Sequence, residues 1–429
     1  MQTKALPGFR DFYPTDLALR AHIFQTWRTV ATRYGFEEYD GPPLEPLDLY
    51  TTKSGDEIVG QLYTFTDKGD RQVALRPEMT PTLARMVAAR ANGLKKPIRW
   101  FSIPQLFRYE RQQRGRLREH FQLNCDLIGE PGPLADAEII ALSIDVMRAF
   151  GFTSADVKVR LSDRRLLNAV LGVMGLQGEQ VGLAYQALDK LGRSEFAGRK
   201  QALADAGVPS VLIGELDALR SVGSLSDLEH RFPQARSSAE PLHRTLGSLD
   251  AMGLGDFVTL DLSIVRGLAY YTGTVFELFD ASRSIRAICG GGRYDTLLQS
   301  LGGPELPALG FGMGDVVLGD LLRDRGLEPR DDSTIDVFLA AITQEDLPYL
   351  LAMAHRLRDA GLRVEYGLST QPLGKQLKLA DARNAPLAIV LGPDERTRGQ
   401  IVIKDLRGKA QETVSEASAV DAIKARING

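Results

Sequence analysis

The segment HFQLNCDLIG, residues 120–129, constrains the fold more than any other part of this chain. Phe121, Leu123, Cys125 and Leu127 alternate with Gln122, Asn124 and Asp126. An extended backbone therefore buries one row and turns a row of hydrogen-bonding side chains the other way. A second strand-like run, IRWFSIPQLFRYE, comes just before it, and a short loop rich in Arg and Gly joins the two. Strands joined so closely pair as an antiparallel hairpin, because a parallel pair needs a long crossover. The segment is thus expected to form one strand of a hairpin, with one apolar face and one polar face.

The helical segments around this hairpin are amphipathic. In LALRAHIFQTWRTVATRYG, Leu17, Ile23, Trp27, Val30 and Ala31 recur at near-helical spacing. Further helices are expected in PTLARMVAARA and AEIIALSIDVMRAFG, and strands in QLYTFTD, QVALRPE, VKVRLS, FVTLDLSI, TVFELFD and RAICGG. From about residue 163 to 256 the pattern is helix after helix with polar connections, which reads as a helical insertion. With 429 residues the chain is too long for one core. The linker LEPRDDST separates a first domain, 1–330, from a second, 335–429, where strands and helices alternate as in a small α/β domain with a mixed sheet.

Composition narrows the function classes. The formal net charge is −3, which argues against a non-specific nucleic-acid binder and leaves room for a local basic patch. The two cysteines, Cys125 and Cys289, are far apart, the five histidines are scattered, and no metal-ligand spacing occurs. A disulfide framework or a protein-only metal site is not expected. No apolar run is long enough to span a bilayer and MQTKALPGFRDFYP has no signal core, so the expected compartment is the cytoplasm, with no membrane.

Four stretches carry chemistry. RYERQQRGRLREHFQLNCD places Arg108, Arg111, Arg114, Arg116 and Arg118 beside the polar row of the hairpin. Guanidinium forks match phosphate oxygens in pairs, so the stretch suits a phosphorylated ligand; a solvated, charged hairpin fits the same spacing. In LRPEMT, Glu78 could hold an ammonium group, whereas Thr80 and Pro81 also read as a helix cap and first-turn proline. VRGLAYYTGTVFE offers Arg266 and two tyrosines for a small amphipathic ligand, or a strand with packing tyrosines. CGGGRYD permits close backbone approach or marks a tight turn. A glycine loop, Gly310, Gly312 and Gly314 in ALGFGMGDVVLGD, lacks the strand–loop–helix context of a dinucleotide fingerprint.

Together and in this order the stretches resemble the histidyl-tRNA synthetase family of class II aminoacyl-tRNA synthetases, over almost the whole chain. PGFRDFYP with YGFEEYDGPPLE resembles the first class motif, with Pro42 at its proline, FRYERQQRGRLREHFQ the second, and LGFGMG the start of the third. RGLAYYTGTVFE and CGGGRYD resemble the histidine-specific signature and the glycine strand beside it. The resemblance implies an α+β class II catalytic domain, an antiparallel sheet flanked by helices, with a helical insertion and a C-terminal α/β anticodon-binding domain. It implies a histidine–tRNA ligase of translation that uses ATP, with Mg²⁺ bound on the nucleotide, acts on tRNA(His), and forms a homodimer through the N-terminal segment.

The resemblance also assigns roles. Glu78 and Thr80 would hold the α-amino group of histidine, with Gln122 and Asp126 near the amino acid; the family often has Glu where Asp126 stands. Arg108 would meet the α-phosphate and the substrate carboxylate, Glu110 the adenine edge, and Arg116 the distal phosphates. Arg266 would stabilise charge on the α-phosphate, Tyr270, Tyr271 and Tyr294 would line the imidazole pocket, and Gly310, Gly312 and Gly314 would leave room for adenosine. Two positions depart from the pattern. Ala269 stands where many members carry an acidic residue. The third motif normally continues to an arginine that grips ATP, and Val317 occupies that place. These departures suit a second reading, a catalytically silent paralogue acting as a regulatory subunit or tRNA sensor, although such a regulatory paralogue generally lacks the C-terminal tail.

Overall fold

The computed structural model describes residues 4–51, 59–111, 113, 115–189, 196–265, 270–282, 286–329, 335–369, 371–408 and 410–427. The chain divides into two compact units, Met1–Pro329 and Arg330–Gly429. Among the described residues no helix is long and apolar enough to cross a membrane.

The first unit is built on one large sheet. Its order is Glu37–Glu38, Ile98–Ser102, Glu119–Ile128, Ala308–Gly314, Cys289–Arg293, Thr274–Asp280, Val157–Asp163 and Val258–Leu260, with Gln105–Phe107 also paired to Glu119–Ile128. The interior pairings are antiparallel, and the two end strands pair in parallel with their neighbours. The alternation in HFQLNCDLIG determines the layering. Leu123, Cys125 and Leu127 join the main core with Leu19, Ile23 and Trp27 of the helix Pro14–Arg33 and with the helix Pro133–Ala149. Gln122, Asn124 and Asp126 turn to the opposite face. There the helix Thr80–Arg90 covers one end with Leu83, Ala84 and Val87 and leaves a polar hollow beside them.

The sequence-based expectation of one long strand in IRWFSIPQLFRYE gives way to two strands, Ile98–Ser102 and Gln105–Phe107. Pro104 lies at the break; it has no N–H to give the ladder, while its carbonyl still accepts from Gln122 N at 3.2 Å. Between Val157–Asp163 and Val258–Leu260 the described residues form helices and turns. The long helix Arg236–Ala251 packs on Pro133–Ala149, so the buried leucines of the insertion extend the core of the sheet.

The largest difference concerns ALGFGMG. The residues read from sequence as a glycine loop, 310–314, form the strand Ala308–Gly314 in the middle of the sheet, and CGGGR forms the strand beside it. Both are fully paired on two sides, so backbone hydrogen bonding outweighs the low strand propensity of glycine.

The second unit has a five-stranded mixed sheet in the order Val364–Tyr366, Val337–Ala341, Leu387–Leu391, Gln400–Asp405, Gln411–Ser415. The first three strands are parallel and the last two pairings antiparallel. The last strand, QETVS, was not anticipated: it is a mostly exposed edge held by backbone pairing, so its sequence carries little apolar signal.

Candidate active site

Two hollows open on the polar face of the first sheet, and Arg108 lines both. The first also has Glu78, Thr80, Gln122, Asp126, Tyr270, Tyr271, Tyr294, Gly310 and Gly312 in its wall, together with Asn124. The second has Glu110, Arg116, Gly314 and Val317, together with His120 and Arg286. Residues separated by more than 200 positions thus converge, and they divide the sequence-derived candidates between two chemical environments. Arg266 and Ala269 lie outside the described residues.

The first hollow is anionic and aromatic. Glu78 is buried and accepts a hydrogen bond from the Tyr270 hydroxyl at 3.4 Å. The Tyr270 ring lies 5.0 Å from that of Tyr271 and 5.8 Å from that of Tyr294. Thr80 is the first residue of its helix, and the cap position falls to Met79 with no side-chain cap; the threonine hydroxyl is therefore not used as a cap and lines the hollow. Tyr294 donates its hydroxyl to Asp126 Oδ1. Burial pushes the Asp126 carboxyl up to about 7, and the Tyr294 hydrogen bond only partly opposes it. A carboxyl poised there can change its protonation near neutral pH and pair with a cationic or N–H-bearing ligand.

The glycines of the adjacent strand are explained by these side chains. Gly310 pairs with Asp126, and a Cβ on Gly310 would collide with Asp126 Oδ1 and the Cys125 carbonyl oxygen. A Cβ on Gly312 would collide with the Gln122 amide. The two glycines let long polar side chains fold over the neighbouring strand. Gly314 meets nothing within 4 Å and lies in the second hollow.

The second hollow is cationic. Arg108 Nε donates to the Pro77 carbonyl oxygen at 2.9 Å, which fixes the guanidinium at the junction of the two hollows. Arg116 pairs with Glu110, and Arg108 stands 4.0 Å from the same carboxylate. His120 registers the local field: burial first, then Arg108, Arg10 and Arg116, push its imidazole down to about 3, so it is neutral at pH 7. Val317 packs on the hairpin turn, 3.2 Å from where a Cβ on Gly115 would sit.

The N-terminal segment fastens this scaffold. Arg10 donates from Nε to Glu119 at 2.6 Å and pairs with Asp315 at 2.9 Å, and Asp315 also accepts from Phe121 N at 2.9 Å. PGFR, the Arg-rich hairpin and the end of the glycine strand are thereby tied together, with Gly8 pressed against the Arg118 side chain at a φ of 87°. His120, Asn124 and Arg286 are polar lining residues that sequence patterning did not mark as candidates. Asn124 is part of the alternating row and could have been included; no periodicity or motif marks Arg286. Among the described residues no group of three His, Cys, Asp or Glu is placed to hold a metal ion.

A family model described as histidyl-tRNA synthetase matches residues 8–314, and one described as anticodon binding domain matches residues 336–426. A histidine–tRNA ligase of Opitutus terrae is 47% identical over 419 residues, spanning 96% of this chain and 95% of that protein. One from Leptospira biflexa is 38% identical over 438 residues, spanning 100% and 99%. The crystal structure of a histidyl-tRNA synthetase from a Nostoc species superposes with a TM-score of 0.84 at 25% identity, covering 99% of this chain and all of that one.

Proposed function

The chain belongs to the histidyl-tRNA synthetase family, and from that premise we propose that it activates histidine with ATP and transfers it to the 3′ end of tRNA(His). The observation that carries this reading is the junction at Arg108 of a carboxylate- and tyrosine-lined hollow with an arginine-lined one. The first suits the ammonium and imidazole of histidine: Glu78 and Thr80 hold the α-amino group, Gln122 and Asp126 lie along the side chain, and Tyr270, Tyr271 and Tyr294 wall the ring. The second suits a nucleotide: Glu110 meets the adenine edge, Arg116 the distal phosphates, and Gly314 leaves room for adenosine, whereas Gly310 and Gly312, expected to do the same, line the first hollow and make room for Asp126 and Gln122.

In activation a histidine carboxylate oxygen attacks the α-phosphorus of ATP, and the bond to the β-bridging oxygen breaks. Diphosphate leaves and histidyl-adenylate remains. Both reactants are anions, so the site must neutralise charge and align the attack in line, and no covalent enzyme nucleophile is needed. Arg108 at the junction and Arg266 do this at the α-phosphate. A terminal ribose hydroxyl of the tRNA then attacks the activated carbonyl and AMP departs. Mg²⁺ typically binds through phosphates, water and one or two carboxylates, so it would enter on the nucleotide and withdraw charge from the departing diphosphate.

The insertion would clamp the acceptor stem and the second unit would read the anticodon, contacts that weaken as salt rises. A two-fold homodimer through the N-terminal segment is supported by exposed Leu6, Tyr13 and Leu17. Size-exclusion with light scattering at micromolar concentration checks it, and a monomer counts against it. The decisive assay of function is histidine-dependent exchange of diphosphate into ATP in the cytoplasm-like conditions expected for this enzyme. Wild-type protein exchanges; Arg266→Ala loses roughly 10²–10³ in rate, as when a key charge-stabilising donor is removed. No exchange by wild type refutes the reading, and an unchanged rate in Arg266→Ala refutes that residue's role.

A further inference from the structure

We propose that Arg286 is a further cation that, beside Arg116, grips the distal phosphates of ATP, in the place the third motif leaves to Val317. The inference rests on the ATP-dependent reading above. Arg286 sits three residues before the strand Cys289–Arg293, and its side chain lines the second hollow together with Arg108, Arg116, Val316 and Val317. It therefore enters from the wall made by the glycine-rich strand, an element separate from the hairpin that carries the other two arginines.

The charge available in this hollow makes the third cation matter. His120 is neutral, so the ionised groups in its described lining are Arg108, Arg116, Arg286 and Glu110. Three cations against one anion leave a net charge of +2, and without Arg286 only +1, facing a triphosphate. Glu110 draws on the hairpin pair: Arg116 lies against it and Arg108 stands 4.0 Å away. Arg286 is different. Its guanidinium donates to Gln113 Oε1, a neutral amide on the hairpin, and it has no carboxylate partner among the described residues. It is exposed, so its planar fork can turn onto phosphate oxygens without leaving a buried carboxylate unpaired.

Val317 cannot make that contact. It is in the first turn of the helix Asp315–Asp324 and packs its methyl groups on the turn at Gly115. The branched side chain closes the wall and offers no donor. The structure thus pairs an apolar residue on one wall with a guanidinium on another wall of the same hollow.

The test uses the full-length protein and compares wild type with Arg286→Ala, Arg286→Lys, Gln113→Ala and the double variant Arg286→Ala/Val317→Arg. Binding of ATP and of AMP is measured by calorimetry, and exchange gives KM for ATP and for histidine. Loss of a charge-assisted contact predicts a rise of roughly ten- to a hundredfold in the Kd and KM for ATP in Arg286→Ala. AMP, which has no distal phosphates, binds unchanged, and so does histidine. Arg286→Lys falls between, because an ammonium is a point charge and not a fork. Val317→Arg in the Arg286→Ala background restores part of the ATP affinity. ATP affinity equal to wild type in Arg286→Ala overturns the proposal. So does an equal loss for AMP, or a Gln113→Ala variant that reproduces the whole loss, since Arg286 would then act by tethering the hairpin. Failure of wild type to exchange would instead sink the functional reading, and the ATP-versus-AMP binding comparison would still decide the role of Arg286.

Discussion

Replacing Asp126 with Asn tests the electrostatics of the first hollow. Burial raises this carboxyl from 3.8 to about 7, and no cation is among the causes that oppose the shift. A raised carboxyl pKa means that the folded chain holds a proton the unfolded chain has lost, so stability falls as pH rises from the unfolded value to the folded one. Below 3.8 there is no penalty, and above 7 it is complete. The shift of about three units corresponds to about 4 kcal/mol, of which about 2.5 kcal/mol develops between pH 5 and pH 8. Asparagine cannot ionise, yet its carbonyl can still accept the Tyr294 hydroxyl. The stability difference between wild type and Asp126→Asn isolates this one group, and the Tyr294 phenol, pushed well above 10, does not titrate in the window. Trp27 and Trp100 both lie in the first unit, so tryptophan fluorescence in urea reports on that unit in the intact chain. The expected result is that Asp126→Asn gains about 2.5 kcal/mol on wild type between pH 5 and pH 8. A difference that stays flat across that range would refute the reasoning.

Two further outcomes follow from packing. Gly310→Ala forces a methyl group onto Asp126 Oδ1 and the Cys125 carbonyl; it should destabilise the first unit by about 1–3 kcal/mol, whereas Gly314→Ala should stay within about 0.5 kcal/mol, both read from urea midpoints. Arg10→Ala leaves Glu119 and Asp315, both buried, without their cation, and should lower stability by about 3 kcal/mol; a value under 1 kcal/mol would mean that the two carboxylates find other partners.

What was legible in the sequence had a period or a motif. The row Gln122, Asn124 and Asp126 could be read because the other row packs into the apolar core while this one lines the polar hollow, so residue type alternates even though both rows are largely buried, and the helix Pro14–Arg33 buries Ile23, Trp27, Val30 and Ala31 as its spacing required. Leu17, included in that apolar stripe, is exposed, and the buried stripe of the helix begins at Leu19. The strand Ala308–Gly314 was hidden because its glycines answer to side chains on another strand. Nothing local in LGFGMG says that Asp126 and Gln122 lie across it. Arg286 was hidden for the same reason: its meaning depends on Val317, brought beside it only by the fold.

That dependence explains how a synthetase-like site can tolerate Val317. A phosphate-binding hollow is specified by the charge it presents in space, and a guanidinium reaches far enough for several backbone positions to present it at one point. Val317 sits on the helix that Asp315 and Arg10 anchor, so an arginine there would start from a fixed frame. Arg286 starts from an exposed turn and is oriented by the Gln113 amide, which is part of the same hairpin as Arg108 and Arg116. Moving the cation to this turn should therefore couple its position to that of the hairpin. Gln113→Ala should raise the KM for ATP less than Arg286→Ala does, and the gap between the two variants measures how much of the contribution of Arg286 is direct contact and how much is orientation by the hairpin.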